Sequence, residues 1–116
     1  MIIGTHTLIY STDAAADRAF LRDVLKFDHV DAGDGWLIFA LPPAEMGVHP
    51  SDANGAHAVS FMTDNIEAEV ARLKAAGVSC GPVEDRRYGL ATEFKLPGGG
   101  EIQLYQPLHP VAIKVS

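Results

Sequence analysis

Two of the chain's five histidines occupy matching places: His6-Thr-Leu-Ile-Tyr-Ser-Thr-Asp13 aligns without a gap on His57-Ala-Val-Ser-Phe-Met-Thr-Asp64. A neutral imidazole is a metal ligand and a polar anchor for small molecules. A pair at equivalent places in a repeated unit is therefore either an inherited framework or part of a binding site. Further polar groups stand at alternate positions. Glu45, Gly47 and His49 share one side of an extended segment, and Glu101, Gln103 and Tyr105 share one side of another, with Met46, Val48, Ile102 and Leu104 on the opposite sides. The single cysteine, Cys80, can form neither an internal disulfide nor a CxxC pair, which fits a reducing compartment and excludes a thiolate zinc knuckle. In the turn-like Ser79-Cys80-Gly81-Pro82 it has no basic neighbour and reads as an inert thiol.

The elements that would position these groups also come in two copies. The later pieces match in the same order, Phe39-Ala-Leu-Pro42 with Phe94-Lys-Leu-Pro97 and Glu45-Met-Gly-Val48 with Glu101-Ile-Gln-Leu104, the offset growing by the extra glycine of Gly98-Gly99-Gly100. Two ordered matches point to duplication of a unit of about half the chain. Each copy reads as a strand, a helix and three further strands. The opening strands span Thr5–Ser11 and His57–Thr63, each ending at an aspartate placed to cap a helix. The helices span Ala14–Leu25, with Phe20, Leu21, Val24 and Leu25 on one face, and Ile66–Ala76, with Ile66, Val70 and Leu73 on one face. Strands then follow around 27–31, 35–41 and 45–49, and again around 78–83, 91–96 and 101–106. Asp34-Gly35 and Pro97-Gly98 mark the tight turns, and Gly77 is a natural helix stop. The glycines at 98–100 precede no helix, so they read as a hairpin turn and not as a phosphate loop.

The whole chain of 116 residues has room for one compact domain, burying roughly two thirds of its unfolded surface. Nine Lys and Arg against fifteen Asp and Glu give a net charge of −6, with the basic residues scattered, so nucleic acid and anionic membranes are poor partners. No apolar stretch approaches the ~18 residues of a membrane span, and the first residues lack a basic segment followed by an apolar one, so a cytoplasmic location is expected.

In the order of these pieces the chain resembles the vicinal oxygen chelate superfamily, the glyoxalase I, bleomycin-resistance and extradiol-dioxygenase group. The likeness is carried by His6, by Ser11-Thr-Asp13 before a helix ending Phe20-Leu-Arg-Asp-Val-Leu-Lys-Phe27, and by Ala56-His57. Ala71-Arg-Leu-Lys-Ala-Ala-Gly-Val78 and Leu96-Pro-Gly-Gly-Gly-Glu-Ile-Gln-Leu104 extend it. It covers residues 3 to 107 and implies an α+β fold in which two tandem βαβββ modules, about 3–52 and 55–107, pair into a cup-shaped mixed sheet. A tail at 108–116 follows, and a homodimer is implied. The family's metal positions, on the first and last strand of each module, fall on His6, His57, Gly47 and Gln103. The full glyoxalase pattern has glutamate at one or both last-strand positions, and this chain has neither.

The resemblance therefore implies a divalent metal (Fe, Mn, Ni or Zn) on His6, His57 and Gln103, with His49 a possible substitute although two residues shift a side chain by ~6.5 Å along a strand. An enzyme of this kind chelates two adjacent oxygens of a small-molecule substrate. Gln103 is no base at neutral pH, which disfavours glyoxalase I chemistry itself. Alternatively, the chain binds a small molecule without metal, as bleomycin-resistance members do. The cup wall in either case is expected to include Tyr10 and Phe61, on the same side of their strands as the two histidines, together with Glu45, Tyr105 and Trp36, since at most one of Trp36 and Phe39 can face the cavity. Arg87, beside Arg86 and Tyr88 at the rim, is the candidate clamp for a carboxylate or phosphate. His29 and His109 read as surface residues.

Overall fold

A computed structural model describes residues 6–45 and 47–113. The expected strand start at Thr5, Met46, and the last three residues of the tail lie outside them. In chain order the elements are α1 (Ala14–Asp23), β1 (His29–Asp31), β2 (Leu37–Phe39), β3 (Ser60–Met62), α2 (Ile66–Ala75), β4 (Glu84–Arg86), β5 (Gly89–Lys95) and β6 (Glu101–Pro107).

Both helices start where a side-chain oxygen can take an orphan backbone N–H. Asp13 caps α1 by accepting from Ala16 at 3.1 Å. The second cap is Asn65, accepting from Ala68 at 3.1 Å, one residue later than the aspartate read from the sequence. Gln106, on β6, adds its Oε1 to the backbone N–H of Ile66 at 3.0 Å and so ties the start of α2 to the sheet. The helices end differently. Gly77 takes the left-handed conformation after α2 (φ +85°), whereas after α1 that role falls to Lys26 (φ +60°).

The second half of the chain forms a four-stranded mixed sheet in the order β3-β6-β5-β4, with β3 parallel to β6 and the other pairs antiparallel. Its register sets Ser60 and Glu93 on either side of Gln103. One face of this sheet meets both helices. Phe94, Ile102 and Leu104 pack there with Ile66, Val70 and Leu73 of α2 and with Phe20 of α1, while Leu21, Val24 and Leu25 close the edge. The ring of Phe94 stacks between Phe20 (6.1 Å) and Phe61 (6.4 Å), and Phe27 meets Phe61 edge-on. The stripes read from the sequence are thus the core, and α1 serves the sheet of the second half.

The first half is less regular than its repeat. β1 and β2 pair as an antiparallel hairpin closed at Asp34-Gly35, but residues 6–11 and the described part of 45–49 form no strand. The expected strands fail there because Pro42, Pro43 and Pro50 cannot donate to a ladder and Gly47 has no side chain to pack, whereas the closing strand of the second half runs uninterrupted to Pro107. Around 78–83 a single bridge joins Cys80 to Phe94, and the strand forms instead at Glu84–Arg86, beyond Pro82.

Candidate functional site

On the face of the sheet turned away from the helices, polar side chains form a closed set. Arg86 donates through Nη1 to Glu93 Oε2 (2.6 Å) and Gln103 Oε1 (3.0 Å), and through Nη2 to Glu93 Oε1 (2.9 Å) and Glu84 Oε1 (2.8 Å). The Tyr88 hydroxyl donates to the same Gln103 oxygen, and Gln103 Nε2 donates to Ser60 Oγ at 3.1 Å. Two donors on one amide atom identify it as the oxygen, so the Gln103 amide has one orientation. The hydrogen bonds of Arg86 hold the Glu93 carboxyl below its ordinary range, and those from Glu93 and Glu84 keep the guanidinium firmly protonated.

Further along β6, Tyr105 meets Tyr88 edge-on at 5.5 Å and lies 5.8 Å from the His109 ring. A cavity of about 360 Å³ opens here, lined by Glu45, Gly47, Tyr105, His109, Pro110 and Ala112. His109 Nδ1 faces the Pro110 carbonyl at 2.7 Å, so that nitrogen carries a hydrogen. Its Nε2 lies within hydrogen-bond distance of the Tyr105 hydroxyl, at 3.1 Å. Glu45 Oε2 accepts the Ala112 backbone N–H at 2.7 Å, and Leu108 donates to the Tyr88 carbonyl, so the tail returns across the end of the sheet. Burial pushes the Tyr105 phenol up, with Glu45 and Tyr88 adding to the shift. A second hollow, of about 280 Å³, lies among core side chains such as Phe20, Val24, Val78 and Leu96 and gathers no polar constellation.

The model of the Glyoxalase/Bleomycin resistance protein/Dioxygenase superfamily matches residues 5–104. The chain belongs to this superfamily. The uncharacterized protein YaeR of Escherichia coli (strain K12) is 30% identical over 124 residues, covering 87% of this chain and 93% of its own. Among solved structures, the antibiotic binding protein TnmS3 from Streptomyces sp. CB03234 is 26% identical, with a TM-score of 0.64 over 92% of this chain and 98% of that one. Lactoylglutathione lyase from Agrobacterium tumefaciens, at 17% identity, shares the fold with a TM-score of 0.66 over 90% of this chain and 92% of its own. The α+β superfamily fold implied by the sequence resemblance is the fold of this chain.

The superfamily positions can now be followed onto this structure. His6, His49 and His57 are all exposed, and His49 turns its Nδ1 to the Pro50 carbonyl at 2.7 Å. Among the described residues no three His, Cys, Asp or Glu side chains converge as a metal site would require. At Gln103 the oxygen a metal would need already accepts from Arg86 and Tyr88, and a divalent ion there would sit against a guanidinium. As arranged here, these residues do not fit the family's metal set.

Glu45 and Tyr105 meet at the cavity. Tyr10, 91% exposed, does not reach it, and Trp36 lies over the Arg18 guanidinium at 4.5 Å. Phe61 packs in the core and not in the cup, because Ser60 is the residue that shares the side of Gln103. Val59 packs against that core as well, which reverses the orientation expected for the strand opening at His57. Arg87 is exposed and joins no ion pair among the described residues. Its neighbour Arg86 forms the network. Cys80 is half-buried, and burial raises its thiol, in keeping with an inert role. Arg86, Glu93, Ser60 and His109 are the residues the sequence reading missed. The alternation of Glu84, Arg86 and Tyr88 was the available signal, since it sets Arg87 on the other side.

Proposed function

We propose that this chain is a metal-free small-molecule-binding member of its superfamily, taking a planar guest on the helix-free face of the sheet beside Tyr88 and Tyr105. The observation that carries this reading is the saturated Gln103 oxygen, which Arg86 and Tyr88 fill where a ligand to a metal would have to be free. With one Nε2 hydrogen on Ser60, the amide keeps a second N–H to donate to an oxygen of the guest. The likeness to an antibiotic binding protein supports the same reading. A homodimer belongs to the proposal. Leu8, Tyr10 and Val48 are exposed on segments that find no strand partner among the described residues, and a second copy would cover them. The lone thiol suits a reducing compartment such as the cytoplasm.

The test is metal dependence of stability and of binding. Thermal unfolding with Mn²⁺, Fe²⁺, Ni²⁺ or Zn²⁺ should match that in EDTA, and the His6→Ala/His57→Ala protein should behave alike. Benzyl alcohol, a neutral aromatic probe, should perturb the Tyr88 and Tyr105 resonances in EDTA. A metal-dependent rise in melting temperature that the double variant loses would overturn the reading, since a ligand specific to the native state stabilises it in proportion to its occupancy.

A further inference from the structure

We infer that the cavity formed by Glu45, Tyr105, His109 and Pro110 is a subsite for a protonated amine carried by the guest. This rests on the metal-free binding reading and adds the charge of the ligand. At about 360 Å³ the cavity falls within the size of small-molecule sites, about 300–1,000 Å³. Glu45 is the one carboxylate in its lining. It makes no ion pair among the described residues, and while Oε2 accepts from Ala112, Oε1 has no hydrogen-bond partner there.

Among the described residues no cation pairs with the carboxylate. His109 is engaged at both ring nitrogens, by the Pro110 carbonyl at 2.7 Å and the Tyr105 hydroxyl at 3.1 Å. Arg86, on the same face of the sheet, has all four Nη hydrogens committed to Glu84, Glu93 and Gln103, and its charge is outnumbered by the two carboxylates it holds. An anionic guest in this cavity would therefore meet the Glu45 carboxylate. A primary or secondary ammonium would find Glu45 Oε1 as acceptor and the electron-rich Tyr105 ring beside it. Burial is the main reason the Tyr105 phenol is raised, and Glu45 beside it adds to the shift.

Three probes of one size separate the possibilities: benzylammonium, benzyl alcohol and benzoate, titrated in EDTA while the Tyr105 and His109 resonances are followed. Benzylammonium should bind about ten-fold tighter than benzyl alcohol, with benzoate weakest, as a partly desolvated ion pair beside an aromatic ring implies. In Glu45→Gln the ammonium and the alcohol should come within about two-fold of one another, the neutral amide having removed the charge but kept the shape. Equal affinity of ammonium and alcohol for the wild-type protein would overturn the amine subsite and leave metal-free binding standing. Binding of none of the three would overturn both. An ammonium preference that survives Glu45→Gln would move the charge recognition elsewhere and overturn the assignment. The wild-type comparison decides the matter alone if the variant fails to fold.

Discussion

Arg86 organises the candidate site by holding Glu84, Glu93 and Gln103 together. Its side chain is 24% exposed, and its Nη hydrogens are all directed at Glu84, Glu93 and Gln103. Its effect on pH behaviour follows from Glu93. Because the folded carboxyl is held below its ordinary value of 4.5, its contribution to stability is complete above that pH and disappears as pH falls through the lowered value. Arg86→Met is therefore expected to lower the urea midpoint at pH 7. The gap from wild type should narrow below pH 4.5, and a gap constant down to pH 2 would separate Glu93 from the effect. The same substitution frees the Gln103 amide to turn over, so it should also weaken the response of Tyr88 to benzyl alcohol.

At the scale of elements, the contrast between the two helix ends is the clearest consequence of the repeat. Gly77 adopts the left-handed conformation at no steric cost, while Lys26 does so against its Cβ, a penalty of about 1–2 kcal/mol that is partly offset by the greater freedom glycine has when unfolded. Lys26→Gly should accordingly stabilise the protein by about 0.5–1 kcal/mol in denaturant unfolding. The stripes of α1 and α2 were legible in the sequence because a 3.6-residue period is a local property, and the β5–β6 hairpin was legible because Pro97-Gly98 sits between two alternating runs. The side of the sheet that Phe61 faces was not. Alternation sets Ser60 opposite to Phe61, but only the pairing of Ser60 with Gln103, far along the chain, decides which of them meets the helices. The choice between Arg86 and Arg87 failed for the same reason. The irregular 6–11 segment could have been anticipated from its intended neighbour, whose flanking prolines and central Gly47 make it a poor partner.

At the scale of the molecule, the two halves are locked where the β5–β6 turn meets the start of α1. Gly98 donates its N–H to the buried Asp17 at 2.7 Å, its carbonyl accepts from Thr12, and a Cβ added there would lie 2.3 Å from Ser11 Oγ and 2.9 Å from Asp17 Oδ2. Gly98→Ala should thus destabilise by about 1–3 kcal/mol, as overpacking of a closed contact does. Calorimetry should show one transition broadening as α1 loosens from the sheet, and an unchanged melting temperature would remove the lock. The contact also bears on the time course of synthesis. Asp17 and Gly98 are 81 positions apart, and Phe20 finds Phe94 over nearly the same span. A chain made from its N-terminus therefore presents Phe20, Leu21 and Val24 to the surroundings until nearly all of it has been translated. Closure of the core waits for the final hairpin, which places this small domain among slow, late-closing folds and makes the nascent α1 a natural client for chaperones.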